Sequence, residues 1–209
     1  MESSQALEKT QTSHVKQMKL ETDRLILRDF VKEDWERVLE YQSEPLYLRY
    51  NRWTERTPEA VQEFVGWFLA HQQQEPRIKY QLAIILKSKD LLIGNCGVRK
   101  DQFDSVEADI GYELDPKHWN RGYATEAASA VVDFGFHHFG VHRIWATCVA
   151  DNVGSAHVLE KLGMQLEGRF RENRYYQDRW WDSLYYAILV DEWNAHKQSH
   201  PVQWKEIKE

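Results

Sequence analysis

The stretch "HWNRGYATEAASAVVDFGF", His118 to Phe136, decides how the rest of the chain is interpreted. Its small and apolar residues at helical spacing predict a helix after Pro116. The start of this helix carries Gly122, where Ser, Thr, Asp or Asn would usually cap the chain. A helix start has backbone N–H groups without partners and a partial positive charge. The glycine turn therefore predicts that a bound anion supplies the missing hydrogen-bond acceptors.

The same stretch lacks the signatures of the common nucleotide-binding loops. A Walker loop needs Gly-Lys followed by Ser or Thr, and a dinucleotide fingerprint needs three spaced glycines after a strand. An ordinary glycine turn, whose helix packs through Ala127, Ala128 and Val131, remains the alternative to an anion site. The sequence on either side has to decide between the two.

Length, charge and cysteine content bound the class of protein. The 209 residues, 42% of them hydrophobic, suffice for one core, and the net charge of −6 argues against a nucleic-acid binder. A net negative charge is compatible with a cationic substrate. Cys96 and Cys148 have no partner spacing for a metal, and no apolar run approaches the ~18 residues of a membrane span. We therefore expect a cytoplasmic protein that needs no metal and binds no membrane.

The pattern of elements predicts one α+β domain. The expected strands cover 23–30, 79–88, 91–100, 105–116, 142–152, 165–173 and 179–190, and the expected helices cover 31–42, 58–74, 118–136 and 153–164. The second helix is the best marked, because Thr57 can cap it and Pro58 suits its first position. The order βααβββαβαββ favours a central mixed, mostly antiparallel sheet flanked by helices. We expect the domain at 18–192, between a mobile polar leader at 1–17 and a C-terminal tail at 193–209.

Three stretches together carry a family resemblance. "ETDRLILRDF", "IGYELDPKHWNRGYATEA" and "ADNVGSAHVLEKLGM" resemble, in order and spacing, the GNAT superfamily, in particular its ribosomal-protein N-terminal acetyltransferase branch. The resemblance implies a sheet splayed into a V and acetyl-CoA as the acyl donor. It also implies that the CoA pyrophosphate binds the backbone amides of the arginine-glycine loop. In this sequence those residues are Asn120, Arg121, Gly122, Tyr123, Ala124 and Thr125.

The resemblance assigns further contacts to two other segments. The strand "IGYEL" would pair with the pantetheine arm through the main chain of Tyr112 to Leu114, and an N–H near Leu114 would stabilise the oxyanion. Asn152 would bind the pantetheine amide, and Ser155 would give a proton to the departing CoA thiolate. Without the resemblance, the plain interpretation of Asn152 and Ser155 is helix capping.

The expected site also needs a general base, and three carboxylates are candidates for it. The candidates are Glu113 on the cleft strand, Asp109 on the same strand and Glu172 further along the chain. Some relatives carry a glutamate two residues beyond Glu172, where this chain has Arg174. We favour Glu113, because it neighbours the expected thioester. An α-amine has a pKa roughly 2.6 units below that of lysine. An N-terminal acceptor is therefore easier to deprotonate, and a weakly placed base would be enough.

The segment "RFRENRYYQDRWWDSLYY" at 169–186 mixes arginines with aromatic residues. That composition also occurs on single-stranded nucleic-acid platforms, but its three acidic residues and strand periodicity favour an amphipathic hairpin or a dimer interface. In an enzyme, Tyr175, Tyr176 and Trp180 could wall the pocket for the amine.

The function expected from the sequence is transfer of an acetyl group from acetyl-CoA directly to a primary amine. That amine is either a protein N-terminal α-amine or the amine of a small molecule. We expect the enzyme to be a monomer or homodimer. A non-catalytic acyl-CoA sensor is the first alternative, since no base is secure, and a nucleic-acid-binding module is the second.

Overall fold

The computed structural model describes residues 17–207, and one sheet of nine strands forms the centre of that part of the chain. The strands are β1 Lys19–Glu21, β2 Leu25–Asp29, β3 Lys79–Leu86, β4 Leu91–Arg99, β5 Glu107–Leu114, β6 Arg143–Val149, β7 Gln165–Tyr176, β8 Arg179–Leu189 and β9 Lys205–Glu206. Their order across the sheet is β7-β8-β6-β5-β4-β3-β2-β1-β9. Every neighbouring pair is antiparallel except β5 and β6, which are parallel. The expected mixed, mostly antiparallel sheet and its central meander are confirmed.

Helices cover both faces of this sheet. They are α1 Asp34–Gln42, α2 Pro45–Leu48, α3 Pro58–Gln72, α4 Tyr123–Phe139, α5 Val153–Lys161 and α6 Val190–Ser199, with a 3-10 turn at Pro116–His118. Strand β3 is buried on both sides, so Ile85 packs with α1 and α3 while Ile84 packs with α4 and α5. We call these sides the α1 face and the α4 face. The expected α+β class is confirmed.

Local sequence signals account for the starts of helices α3 and α4. The Thr57 side chain accepts a hydrogen bond from the backbone N–H of Ala60, and Pro58 occupies the first helical position, as expected. Helix α4 begins after Gly122 and ends before Gly140, and both glycines have left-handed φ angles, of 77° and 61°. The helix start was expected near His118, but a 3-10 turn and a loop come first.

Strands β5 and β6 separate partway along their length. Their pairing covers Glu107 to Asp109 on β5 and Arg143 to Trp145 on β6, and then stops, although β5 runs on to Leu114. On its other side β5 stays paired with β4 up to Leu114. The sheet therefore opens into the expected V, which we call the gap.

The C-terminal segment packs on the domain. Trp193 of α6 is fully buried, and β9 pairs with β1. Asp133 on α4 accepts hydrogen bonds from Nε1 of Trp193 (2.7 Å), Nε1 of Trp204 (2.9 Å) and Nζ of Lys197 (2.6 Å). Much of the segment expected as a tail is therefore structured, whereas residues 1–16 of the expected leader lie outside the described part of the chain.

Candidate active site

The loop before α4 presents a row of open backbone amides. Gly122 adopts the left-handed region, as does Asn120 with a φ of 58°, and no side chain caps the helix. The first helical hydrogen bond runs from the N–H of Glu126 to the carbonyl of Gly122, at 3.0 Å. Within residues 17–207, no backbone or side-chain group accepts a hydrogen bond from the amides of residues 120–125. Open donors on a positive helix end are what a pyrophosphate group requires.

Arg24, which immediately precedes strand β2, holds this loop in place. Arg24 pairs with Glu126 on α4 (Nε to Oε2, 2.6 Å), and its Nη1 donates to the carbonyl of Arg121 (3.0 Å). Its guanidinium group also lies over the Tyr123 ring, 4.6 Å from the ring centre. Because Glu126 is neutralised from outside the loop, its charge does not oppose an anion at the amides. Sequence reasoning missed Arg24, although it lies within the first of the three family stretches.

Main-chain groups of β5 face the gap. The N–H of Asp115 donates to the carbonyl of Ile93 on β4 at 2.7 Å. Since antiparallel strands alternate the direction of their hydrogen bonds, the main-chain groups of Tyr112 and Leu114 point away from β4, towards β6. The Leu114 carbonyl accepts from Nε1 of Trp119 (2.8 Å), while its N–H has no acceptor in the described part of the chain. The expected strand-like contacts and oxyanion donor therefore have suitably directed groups.

Asn152 and Ser155 lie together at the start of α5. Oδ1 of Asn152 accepts a hydrogen bond from the Ser155 N–H at 3.1 Å, so Asn152 does cap the helix. The Ser155 hydroxyl lies 3.0 Å from the hydroxyl of Tyr112, which also donates to the Ser155 carbonyl at 2.9 Å. Burial raises the pKa of Tyr112 well above its ordinary value, so this hydroxyl keeps its proton at neutral pH. The serine hydroxyl is thus held beside the gap strand.

Cys148, on β6, completes this group. Burial raises the pKa of its thiol to about 11, against the opposing effect of a hydrogen bond with Ser155. The thiol is therefore almost entirely protonated at neutral pH.

The Glu113 side chain lies in a cage of hydrogen-bond donors on the α1 face. Its carboxylate accepts from the hydroxyls of Tyr41 (2.6 Å) and Tyr47 and from the side-chain amides of Gln42 (2.8 Å) and Asn95 (2.6 Å). All four donors are buried, whereas Glu113 is half-buried. Sequence reasoning singled out Glu113 but missed its donors, because three of them lie 66 to 72 residues away along the chain.

The other base candidates have different surroundings. Asp109 pairs with Arg99 across the β4–β5 ladder, which neutralises its charge. Glu172 is exposed on β7, at a bulge where its N–H donates to Asp182 at 2.8 Å. Arg174 is also exposed and reaches the Thr147 hydroxyl at 3.3 Å.

The turn between β7 and β8 fastens onto the loop between α2 and α3. Nε2 of Gln177 lies within hydrogen-bond distance of the carbonyls of Leu48, Asn51 and Trp53. The Tyr176 hydroxyl donates to the backbone carbonyl of Tyr50 (3.1 Å). The rings of Tyr175 and Trp180 instead contact each other on the surface, where both are more than half exposed. Of the three aromatic residues expected to wall the amine pocket, only Tyr176 makes this hydrogen bond.

In residues 17–207 we find no helix whose length and apolar character would let it cross a membrane.

Comparisons with known proteins identify a family. The model of the family described as "Acetyltransferase (GNAT) domain" matches residues 24–165. The chain is 37% identical to the uncharacterized N-acetyltransferase YnaD of Bacillus subtilis, over 85% of this chain and all of that protein. It is 28% identical to the ribosomal-protein-serine acetyltransferase of Escherichia coli, over 54% of this chain and 63% of that protein. A GNAT-family acetyltransferase structure from Bacillus anthracis matches with a TM-score of 0.72 and 35% identity, over 83% of this chain and 99% of that one.

Proposed function

The chain belongs to the GNAT acetyltransferase family, and from that premise we propose that it transfers the acetyl group of acetyl-CoA directly to a primary amine. The observation that carries the proposal is the row of open amides at residues 120–125, next to a gap in the sheet lined by main-chain groups of Tyr112 and Leu114. One end of that arrangement suits a pyrophosphate, and the other suits an extended thioester arm.

The residues that hold acetyl-CoA would act mainly through the backbone. The amides from Asn120 to Thr125 would bind the pyrophosphate, and Tyr112 and Leu114 would pair with the pantetheine arm. The side-chain amide of Asn152 would contribute one further contact to that arm, while its oxygen continues to cap α5.

The chemical step needs three groups from the chain. Glu113 would accept the proton that the amine must lose before it attacks. The nitrogen then bonds to the thioester carbon, the Leu114 N–H stabilises the negative oxygen, and the C–S bond breaks with its electron pair on sulfur. The Ser155 hydroxyl would protonate the thiolate and recover its proton from the new amide nitrogen. The products are the N-acetylated amine and CoA with a free thiol.

The acceptor class follows from charge and from chemistry. Both a protein N-terminal α-amine and a small-molecule amine fit an acidic protein, and the name of the Escherichia coli relative favours a ribosomal protein as the acceptor. An α-amine is also the easier nucleophile to free of its proton. We place the reaction in the cytoplasm, in a monomer or homodimer, without a part for nucleic acid.

An amine screen tests this function. Purified protein is given acetyl-CoA and a panel of peptides with different first residues, polyamines and aminoglycosides, and release of the CoA thiol is followed. We expect at least one primary amine to accelerate release and to gain an acetyl group by mass spectrometry. A protein that binds acetyl-CoA but accelerates release with no amine is a sensor, the second candidate.

A further inference from the structure

Glu113 carries a charge that no cation of the protein balances. Within residues 17–207, no Lys, Arg or His side chain lies within ion-pair distance of its carboxylate. All of its partners are neutral: two tyrosine hydroxyls and two side-chain amides. Half-buried carboxylates are normally paired with a cation or exposed to water, because removing a charge from water costs free energy. The missing positive charge is the feature that requires explanation.

Two arginines are linked to Glu113 only through neutral side-chain amides. Arg56 donates to the Gln42 side-chain oxygen (2.8 Å), and Gln42 in turn donates to Glu113. On the sheet, Arg99 forms an ion pair with Asp109 and donates to Gln81 (2.9 Å). Gln81 donates to Asn95 (2.6 Å), which in turn donates to Glu113. Amide groups therefore stand between Glu113 and both arginines.

The two oxygens of Glu113 are used unequally. Oε1 accepts three hydrogen bonds, from Tyr41, Gln42 and Asn95. Oε2 accepts only one within the described part of the chain, from the Tyr47 hydroxyl. A carboxylate oxygen can accept two, so Oε2 keeps one direction open.

The donors stay protonated when the site is in use. Burial, together with the nearby Glu113 charge, raises the pKa of both Tyr41 and Tyr47 well above the ordinary tyrosine value. The cage can therefore orient the carboxylate but cannot neutralise it.

The open oxygen belongs to a residue at the reaction centre. Glu113 lies between Tyr112 and Leu114, whose main-chain groups face the gap, while its side chain lies on the α1 face. A ligand that reaches Oε2 is thus one residue away from the N–H expected to hold the oxyanion.

We infer that Oε2 of Glu113 and the hydroxyl of Tyr47 form a recognition site for the acceptor in its cationic form, a primary ammonium group. Tyr41, Gln42 and Asn95 are positioning residues that hold Oε1 and so aim Oε2. The inference rests on the proposed function, and it adds that the acceptor is selected by its positive charge before it loses a proton.

Equilibrium binding tests this site separately from catalysis. Calorimetry on protein saturated with CoA uses spermidine and the tripeptide amide Ser-Ala-Ala, each beside its N-acetylated counterpart, which lacks the cation at the same end. We expect at least one amine to bind at least ~10-fold more tightly than its acetylated form, the size of one charge-assisted contact. Equal binding of both forms, or of neither amine, would overturn the inference.

Variants then locate the contact. Glu113→Gln should lose most of this preference for the cation, and Tyr47→Phe should reduce it about threefold while leaving the carboxylate in place. Glu36→Gln, an exposed glutamate on α1, is the matched control and should bind as the wild type does. If Glu113→Gln unfolds, Tyr47→Phe alone decides, and an unchanged preference in that variant contradicts the site. Binding of acetyl-CoA is measured separately for the wild type and for each variant. If the wild type does not bind acetyl-CoA, that result counts against the proposed function and not against the ammonium site.

Discussion

The hydroxyl groups of Tyr112 and Ser155 lie 3.0 Å apart, so β5 and the first turn of α5 are joined beside the open gap. The sequence resemblance implies a proton-donor role for Ser155, and in the structure its hydroxyl is within hydrogen-bond distance of the Tyr112 hydroxyl. A Ser155 hydroxyl that donates towards Tyr112 in the free protein can turn to a thiolate without leaving its place. Helix capping at this position falls to Asn152, whose side chain accepts the Ser155 N–H.

The different roles proposed for Ser155 and Asn152 predict different kinetics for their alanine variants. Ser155→Ala should lower kcat by ~10²-fold, or less because CoA is a good leaving group, with little change in the KM for acetyl-CoA. Asn152→Ala should mainly raise that KM and should also cost about 1 kcal/mol of stability through the lost cap. Steady-state kinetics and melting temperatures on both variants check this. Wild-type kinetics in both folded variants would contradict these roles and would show that Asn152 and Ser155 act only in the structure of the helix start.

The backbone of Gly122 provides a second prediction. Its φ of 77° is unfavourable for a residue with a Cβ, so Gly122→Val should distort the loop and weaken acetyl-CoA binding at least ~10-fold. Gly140→Val is the matched control, because Gly140 has a φ of 61° at the opposite end of α4 and open space around it. Calorimetry should show reduced affinity for the first variant only. Unchanged affinity in a folded Gly122→Val protein would contradict binding of the pyrophosphate at this loop.

The Asp133 anchor predicts acid-sensitive packing of the C-terminal segment. Burial alone would raise the pKa of Asp133, but hydrogen bonds from Lys197, Trp193 and Trp204 outweigh it, and the pKa lies below the ordinary value. A pKa that is lower in the folded state contributes stability above the unfolded value, near 4, and that stability is lost as pH falls further. Asp133→Asn should therefore cost about 2 kcal/mol at neutral pH and less near pH 3. Urea unfolding at both pH values measures this, and an equal cost at both would contradict it.

The thiol of Cys148 provides a test of where the cofactor sulfur lies. If pantetheine occupies the gap, Cys148 thiolate should attack CoA disulfide, forming a mixed disulfide and releasing one CoA thiolate. With a pKa of about 11, the thiolate fraction and the rate should rise about tenfold per pH unit between pH 7 and 9. Intact mass spectrometry of the Cys148→Ala and Cys96→Ala proteins assigns the product. Modification of Cys96 alone would count against this placement of the sulfur.

The sequence predicted best those features that local patterns determine. Thr57 and Pro58 mark a helix start because capping is decided within four residues, and Gly122 marks a left-handed turn for the same reason. The strands around Cys96 form the expected meander because their apolar runs are closely spaced in the chain. Helix α6 was missed because Trp193 is an isolated apolar residue in a polar segment. Its burial depends on Asp133, 60 residues earlier.

The candidate site was only partly predictable for a related reason. Tyr112 and Leu114 were identified for their main chain, which any strand supplies. The role of Glu113 depends on side chains such as Tyr47, which reach it only after the α1 face has formed. No spacing in the sequence encodes a contact across 66 residues. The charge on Glu113 was visible beforehand, but the lack of a balancing cation was not.

Initial-rate kinetics with acetyl-CoA and an active primary amine test the central claim of direct transfer most directly. Both substrates are varied together, and the acetylated amine and the free CoA thiol are quantified in the same samples. In direct transfer both substrates bind together and no acetyl-enzyme forms, so we expect reciprocal plots that intersect, and product and thiol that appear in equal amounts. Parallel plots, or thiol released before any acetylated amine forms, would contradict direct transfer in the gap between β5 and β6.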